Sequence, residues 1–176
     1  MKYLLDFDRT LFDTNALVQR LTAAAVDQTQ LAPKHLRGMV MKDFLFTDSV
    51  PFLQNKKSKD ITILTALGTS YGDKILEFQT AKVEQEPIVS LVNEVVYVVS
   101  DKGAKAAELV SRWPEKEVIV FIDDLLENCL SVHVAVPRAH CFLIRRENEA
   151  PQDILDLSGI TLVQSLAEVE AHLAGL

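Results

Sequence analysis

Residues 4–14 read LLDFDRTLFDT, and this stretch carries the strongest signal in the chain. Two carboxylates, Asp6 and Asp8, stand two positions apart at the end of a short apolar run that is typical of a buried strand. Residues i and i+2 of an extended chain project to the same side, so we expect these carboxylates to lie close together, with Thr10 next in line. Their repulsion is relieved if a divalent cation bridges them or if one takes up a proton. A polar turn formed by Asp8, Arg9 and Thr10 is the simpler alternative.

Short β-branched runs alternate with longer helical patterns along the rest of the chain, which is typical of βαβ units in a parallel sheet. The pattern predicts strands at Tyr3–Phe7, Ile61–Thr65, Val95–Val99, Val118–Ile122, Cys141–Ile144 and Thr161–Val163. It predicts helices at Tyr71–Val83, Lys102–Trp113, Leu125–Ala135 and Ser165–Ala174. The sequence therefore predicts an α/β fold, a doubly wound, Rossmann-like parallel sheet.

Residues 14–59 are far more than a connection between a strand and a helix requires. Apolar residues recur there at helical spacing, first at Leu17, Leu21, Ala24 and Ala25 and then at Leu36, Val40 and Phe44. We therefore expect two or three small amphipathic helices in this segment. The expected organisation is an α/β core of residues 1–13 and 60–176 with a small helical cap, residues 14–59, inserted after the first strand.

A second acidic pair occurs in residues 118–128, VIVFIDDLLEN, where Asp123 and Asp124 end the fourth strand and Asn128 follows one helical turn later. Such a pair is also common as a helix N-cap with a solvated neighbour. In a doubly wound sheet with the strand order 3-2-1-4-5, however, the first and fourth strands are neighbours at the point where ligands bind. Four carboxylates would then converge, and a site of oxygen ligands alone favours Mg²⁺ over zinc.

Two further polar residues follow the intervening strands. Thr65 ends the second strand, and its hydroxyl either donates to an anionic oxygen or simply terminates the strand. Lys102 opens a helix after the third strand, where the helix dipole disfavours a cation, so we expect an anion nearby. Exposure of Lys102 to solvent is the alternative, and Lys105 is a second candidate for the active lysine.

In this order the four segments resemble the motifs of the haloacid dehalogenase superfamily, and the match covers nearly the whole core. The family pattern is DxDx[TV], then Ser or Thr after a strand, then Lys, then an acidic pair at a strand end. The resemblance implies that Asp6 attacks phosphorus while Asp8 protonates the leaving group and then activates water. It also implies a Mg²⁺ site formed by Asp6, the backbone carbonyl of Asp8 and Asp124, with Asp123 as a further candidate ligand. Asn128 matches the later acidic position of the family.

The same resemblance implies that Thr65 and Lys102 hold the transferring phosphoryl oxygens. Arg9 departs from the commoner Gly, and its side chain either points to solvent or narrows the entrance. The insertion corresponds to a small cap of the C1 type, which covers the site and helps to select the substrate.

The predicted function is that of a magnesium-dependent phosphomonoester phosphatase with an aspartyl-phosphate intermediate. Its substrate is expected to be a small phosphorylated metabolite of the nucleotide or sugar phosphate class. Dehalogenase members lack the second Asp of the first motif, so Asp8 favours phosphate chemistry over cleavage of a carbon–chlorine bond. A phosphotransferase or phosphonatase of the same superfamily and a non-enzymatic phospho-receiver or binding module are the alternatives. The order of the acidic residues along the chain argues against a receiver.

Composition and charge narrow the expected partners. The chain has 18 basic and 25 acidic residues and a net charge of −7, which disfavours nucleic acid as a partner. Cys129 and Cys141 lack the spacing of a zinc or redox site. The N-terminal apolar run is too short for a signal peptide, and no apolar stretch approaches the ~20 residues of a membrane span. We therefore expect a cytoplasmic protein that binds a small phosphomonoester and neither nucleic acid nor membrane. Assembly into a homo-oligomer is compatible with the sequence.

Overall fold

The computed structural model describes residues 1–146 and 159–175. The strands are β1 (Lys2–Leu5), β2 (Ile61–Ala66), β3 (Glu94–Val98), β4 (Ile119–Asp123), β5 (Ala139–Ile144) and β6 (Ile160–Val163). The helices are α1 (Thr14–Ala23), α2 (Ser49–Gln54), α3 (Ile75–Val83), α4 (Ile88–Leu91), α5 (Lys102–Val110), α6 (Leu126–Ala135) and α7 (Leu166–Leu173). Short 3₁₀ turns occupy Gln28–Gln30, Pro33–Leu36, Met41–Phe44, Ser58–Asp60 and Thr69–Tyr71.

The strands form one parallel sheet with the order β3-β2-β1-β4-β5-β6. The predicted α/β class and the predicted order of the first five strands are therefore confirmed. Each strand lies within two residues of its predicted position. Because the order reverses beside β1, the carboxyl ends of β1 and β4 are adjacent at the edge where ligands bind in such sheets.

The sheet is covered on both faces, which explains why its central strands are almost entirely apolar. Leu4 faces a layer that includes Leu109 of α5 and Val132 of α6, all of them buried. Leu5 faces the opposite layer, which includes Phe78 of α3. Alternate residues of one strand thus anchor opposite layers, and this fixes the direction in which the residues after β1 project.

The helix after β2 is shorter than predicted. It begins at Ile75 rather than Tyr71, and residues 69–71 form a separate 3₁₀ turn. Gly72 has a φ of +95°, outside the helical region, so the chain cannot pass from this turn into α3 as one helix. The predicted end of α5 at Trp113 is also too late, since that helix ends at Val110.

The segment between β1 and β2 contains less regular helix than its apolar spacing predicts. Helix α1 is present with Leu17 and Leu21 buried, but Ala24 and Ala25 are exposed because the helix ends at Ala23. Further along this segment, the chain forms 3₁₀ turns at Pro33–Leu36 and Met41–Phe44 instead of the helix predicted through Leu36, Val40 and Phe44. Val40 is exposed. Gly38, with a φ of +75°, separates the two turns. We call residues 14–59 the insert.

Among the described residues, no helix combines the length and apolar character that crossing a membrane would require.

Candidate active site

Four carboxylates, Asp6, Asp8, Asp123 and Asp124, form a cluster at the carboxyl edge of β1 and β4; we call it the carboxylate cluster. Asp6 directly follows β1, and its N–H donates to the carbonyl of Ile122 at 2.9 Å, which extends the pairing of the two strands by one residue. Asp123 is the last residue of β4 and Asp124 follows it. Asp6, Asp123 and Asp124 are all buried. The backbone of the sheet therefore sets the spacing of these three groups.

Lys102 lies between two of these carboxylates. Its Nζ is 2.5 Å from an oxygen of Asp6 and 2.7 Å from an oxygen of Asp123, and its side chain is only 1% exposed. Lys105, the alternative from the sequence, forms an ion pair with Glu108 on the exposed side of the same helix. Of the two candidates, the fold brings Lys102 into the cluster.

A close contact between two helices directs Lys102 inward. The carboxylate of Asp101 caps α5 by accepting from the N–H groups of Gly103 at 2.9 Å and Ala104 at 3.1 Å. A Cβ atom at Gly103 would collide with the side chain and backbone of Ser131 in α6. The glycine therefore allows the first turn of α5 to lie against α6, and the adjacent Lys102 points to the sheet edge.

Asp8 is surrounded by hydrogen-bond donors. Its carboxylate accepts from the Thr14 hydroxyl at 2.5 Å, from the Gln79 amide at 2.6 Å and from the Lys82 ammonium at 2.5 Å. Gln79 also donates to the Thr65 hydroxyl at 2.9 Å. The four residues around Asp8 come from the insert, β2 and α3, so three parts of the chain meet at this carboxylate.

The Lys82 ammonium group lies among three phenylalanine rings where it contacts Asp8. Its Nζ lies 5.7 Å from the ring centre of Phe7, 5.5 Å from that of Phe12 and 6.0 Å from that of Phe78. Its side chain is 4% exposed. Aromatic ring faces attract a cation, so these rings partly offset the loss of water around the ammonium group. Lys82 is thus a buried cation whose carboxylate partner is Asp8.

Arg9 turns onto Asp124 rather than extending into solvent. Its Nε is 2.6 Å from an oxygen of Asp124, although the Arg9 side chain is 47% exposed. Arg9 has a φ of 58°, and its N–H donates to the carbonyl of Phe12 at 2.7 Å, so residues 7–12 form a tight turn. Arg9 is thus both partly exposed and part of the cavity lining beside Asp124.

The pKa values of the cluster follow from burial and from these contacts. Burial raises the pKa of Asp6 to about 8, with Lys102 opposing the shift and the neighbouring carboxylates adding to it. Burial likewise raises the pKa of Asp124 to about 6, against the effect of Arg9. Burial also acts to raise the pKa of Asp8, but the Lys82 charge and the hydrogen bonds around it outweigh burial and hold the pKa below its usual value. The structure thus favours Asp8 as a carboxylate.

The donor set of the cluster fits a hard divalent cation. One oxygen from each of Asp6, Asp123 and Asp124 can be chosen so that all lie within 4.8 Å of one another. Within the described residues, Arg9, Lys82 and Lys102 are the cations paired with the four carboxyl groups, so the cluster carries one negative charge in excess when all four are ionised. A small divalent ion would offset that charge, and an all-oxygen donor set is what Mg²⁺ prefers.

Asp123 accepts hydrogen bonds on both of its carboxylate oxygens. One oxygen accepts from Lys102, and the other accepts from the Leu125 N–H at 2.9 Å and from the Asn128 amide at 3.0 Å. Asn128, predicted to match an acidic position, therefore holds Asp123. Thr10 is buried, and its hydroxyl has no hydrogen-bond partner among the described residues.

Gln79, Lys82 and Thr14 all donate to Asp8 but are not among the site residues predicted from the sequence. Gln79 and Lys82 are three residues apart, next to Phe78 and Val83 in a helix predicted from its apolar residues. A glutamine and a lysine one turn apart on a buried helical face would have been a usable signal, because such groups are rarely buried without a partner.

A cavity of about 500 Å³ opens from the carboxylate cluster. Its polar end is lined by Asp6, Asp8, Arg9, Thr65, Gln79, Lys82, Lys102, Asp124 and Asn128. The insert contributes one wall through α1, and α3 with the preceding turn contributes another. The cluster therefore lies in a pocket large enough for a small molecule.

Comparisons by sequence find no relative, since no protein-family model matches the chain and no curated protein shows significant similarity. Solved structures with a similar fold include a haloacid dehalogenase-like hydrolase of Burkholderia xenovorans, with 16% identity and a TM-score of 0.70 over 98% of this chain and 96% of that one. A structure described as a dehalogenase has 13% identity and a TM-score of 0.64 over 98% and 96% of the two chains. The D,D-heptose 1,7-bisphosphate phosphatase of B. bronchiseptica, solved with magnesium and phosphate, has 12% identity and a TM-score of 0.61 over 99% of both.

These similarities extend over nearly the full length of both chains in each pair, at identities that bear on the fold alone. The chain thus shares its fold with a haloacid dehalogenase-like hydrolase, a dehalogenase and a phosphatase, as the resemblance of its motifs implied.

Proposed function

We propose that this protein is a magnesium-dependent phosphomonoester phosphatase that forms an aspartyl-phosphate on Asp6. The observation that supports this most strongly is the convergence of Asp6, Asp8, Lys102 and Asp124 on one pocket. The sequence motif and the fold point to the same chemistry. Similar structures include a phosphatase solved with magnesium and phosphate, although that ligand set is known only for that protein.

In the first step, a carboxylate oxygen of Asp6 attacks phosphorus while the bond from phosphorus to the leaving oxygen breaks. Asp8 gives that oxygen a proton, so the alcohol departs neutral. In the second step, Asp8 takes a proton from water, whose oxygen attacks phosphorus. The bond to Asp6 then breaks and inorganic phosphate is released. The ion pair with Lys82 favours Asp8 as the carboxylate, which is the form the second step requires. The first step requires Asp8 to have taken up a proton, which the negative charge of the bound phosphate would favour.

Lys102 and Thr65 are proposed to hold the phosphoryl group. The Lys102 ammonium contacts Asp6 and orients the nucleophile as well as attracting phosphate oxygens. The Thr65 hydroxyl accepts from Gln79 and can direct its own proton to a phosphoryl oxygen.

Asp6, the carbonyl of Asp8 and Asp124 would hold Mg²⁺. The ion would offset the charge of phosphate and cluster and polarise the phosphoryl oxygens. Both oxygens of Asp123 already accept hydrogen bonds, so we propose that it positions Lys102 and that Asp6 and Asp124 supply the side-chain ligands.

The insert is proposed to act as the cap of the site. Residues of α1 line the pocket opposite the sheet edge, and Thr14 at the start of that helix contacts Asp8. An element placed in this way restricts water and shapes the space for the leaving group.

The test is hydrolysis of para-nitrophenyl phosphate with Mg²⁺ by the parent protein, Asp6→Asn and Asp43→Asn. Asp43 is exposed on a turn of the insert and serves as the matched control. We expect Asp6→Asn to lose about 10³-fold or more in kcat, a loss typical of removing a nucleophile. Turnover by Asp6→Asn equal to that of the control contradicts the proposal.

Dehalogenation is the second candidate, because one of the similar structures is described as a dehalogenase. Asp8 and its contacts with Thr14, Gln79 and Lys82 favour the phosphatase, since a second carboxylate suits proton transfer to an oxygen leaving group. Chloride release from chloroacetate, in place of phosphate release, would support the dehalogenase.

A phospho-receiver is disfavoured by the sheet. Doubly wound receivers of the CheY type have the strand order 2-1-3-4-5, whereas β2 lies between β1 and β3 in this protein. A phosphotransferase shares the aspartyl-phosphate step, and transfer of phosphate to an added alcohol rather than to water would identify it.

A further inference from the structure

The cavity beyond the carboxylate cluster changes character with distance from the sheet edge. Its distal walls are mainly apolar and are formed by Leu17, Val18, Leu21, Leu31, Tyr71, Ile75 and Phe78, with Asn15 and Gln28 of the insert as polar residues among them. These residues come from α1, the turns of the insert and the region from the 3₁₀ turn after β2 to α3. A phosphoryl group held at the cluster would direct the rest of its ester toward these walls.

The cations that line the described cavity are already paired with carboxylates. Arg9 contacts Asp124 at 2.6 Å, Lys82 contacts Asp8 at 2.5 Å, and Lys102 contacts Asp6. All three lie at the polar end of the cavity. The apolar walls thus carry no basic side chain, in the described residues, for a second phosphate or a carboxylate of the substrate.

The distal part of the cavity is held by contacts between the insert and the core. The N–H of Leu31 donates to the carbonyl of Tyr71 at 3.0 Å. At Gly72, a Cβ atom would lie only 2.9 Å from the carbonyl oxygen of Thr29, so the absence of a side chain allows the two backbones to approach. The walls are joined by the backbone, and we expect the apolar space to persist without substrate.

Tyr71 provides an aromatic surface in this part of the cavity. Its ring lies so close to Gly68 that a Cβ atom there would overlap it, and the residue is 43% exposed. An aromatic ring that lines the cavity and is partly exposed can contact a planar or alicyclic group.

We propose that the preferred substrate is a monophosphate ester of an uncharged alcohol with an apolar ring or branched body, rather than a sugar phosphate or a bisphosphate. This inference rests on the proposed phosphatase function and specifies its leaving group. Burial of apolar surface stabilises the bound ester, whereas the hydroxyls of a sugar lose their water against walls on which Asn15 and Gln28 are the polar side chains. The Gln28 amide nitrogen already donates to the Thr22 hydroxyl at 2.8 Å.

The experiment compares cyclohexylmethyl phosphate with glucose 6-phosphate. Both are esters of a primary alcohol attached to a six-membered ring, so the hydroxyl groups are the main difference. An apolar pocket rejects an added hydroxyl by about 10²-fold, and we expect kcat/KM to favour the cyclohexyl ester by about that factor or more.

Two variants of α3 test the location of the apolar contact. Ile75 lines the cavity, whereas Leu76 is its exposed neighbour outside the lining. We expect Ile75→Asn to lower the ratio of kcat/KM for cyclohexylmethyl phosphate to that for methyl phosphate by about 10-fold. Leu76→Asn should leave the ratio unchanged. Because the ratio is taken within one variant, a partly unfolded sample does not alter it.

The outcomes separate this inference from the function on which it rests. The proposed substrate class is wrong if glucose 6-phosphate is hydrolysed as well as or better than cyclohexylmethyl phosphate. It is also wrong if Ile75→Asn and Leu76→Asn give the same ratio of kcat/KM for cyclohexylmethyl phosphate to that for methyl phosphate. In both cases the phosphatase proposal stands. No hydrolysis of these esters or of para-nitrophenyl phosphate with Mg²⁺ overturns the phosphatase proposal and the substrate class together.

Discussion

Replacing Lys102 with methionine removes the ammonium group that contacts both Asp6 and Asp123. The distances are 2.5 and 2.7 Å, and the lysine side chain is 1% exposed. Methionine fills much of the same space without charge, so the main effect is to leave two buried carboxylates facing each other. Breaking a buried ion pair in this way costs about 3–5 kcal/mol in the free energy of unfolding.

For a chain of this length, a loss of that size lowers the melting temperature by roughly 6–20 °C. The assay is thermal unfolding followed by circular dichroism with EDTA present. Lys105→Met is the matched control, because Lys105 lies three residues further along the same helix and its ion pair with Glu108 is largely exposed. An exposed pair contributes about 0–1 kcal/mol, so the control should melt close to the parent.

The melting temperatures of both variants are also measured with Mg²⁺ in place of EDTA. A divalent cation bound by Asp6 and Asp124 would replace part of the lost positive charge, so Mg²⁺ should restore more stability to Lys102→Met than to Lys105→Met. Equal melting temperatures of the two variants in EDTA would refute the conclusion that Lys102 is the buried counter-charge of the cluster.

Two further substitutions test separate contacts. Arg9→Met removes a cation that lies 2.6 Å from Asp124 and competes with Mg²⁺ for this carboxylate. We expect titration calorimetry to show Mg²⁺ bound about 5-fold more tightly, a change of about 1 kcal/mol in the binding free energy. Weaker Mg²⁺ binding in the variant would contradict this competition. Gly103→Ala forces a Cβ atom against Ser131 and should cost about 1–3 kcal/mol in urea unfolding. Gly175→Ala, whose Cβ would meet its nearest atom at an ordinary 3.6 Å, should change stability by less than about 0.5 kcal/mol, and equal losses would show that the helix contact is not tight.

The sheet could be predicted because each strand is a short, nearly continuous apolar run between polar turns. Ile61–Ala66 and Ile119–Asp123 are examples, and both are buried almost throughout. The secondary structure of the insert was harder to predict, because the apolar spacing at Leu36, Val40 and Phe44 fits a helix although the chain turns at Gly38. A positive φ at one glycine interrupts a pattern that the apolar residues alone continue.

The site could be predicted as far as topology determines it. Thr65 lies at the end of β2, and Asp6, Lys102 and Asp124 follow β1, β3 and β4, so the strand order alone brings their backbones to one edge of the sheet. The partners of Asp8 depend instead on how a helix is rotated against the sheet. Lys82 reaches the cluster only because α3 turns its Gln79 and Lys82 face toward β1, and tertiary packing rather than local sequence sets that rotation.

The most direct test of the proposed chemistry is to trap the covalent intermediate. The protein is mixed with a phosphomonoester and Mg²⁺, quenched in acid during turnover, digested and analysed by mass spectrometry. We predict phosphate on the peptide that contains Asp6, labile to hydroxylamine and absent from Asp6→Asn. Phosphate on a different residue, or continued turnover with an unmodified Asp6 peptide, would contradict the assignment of Asp6 as the nucleophile.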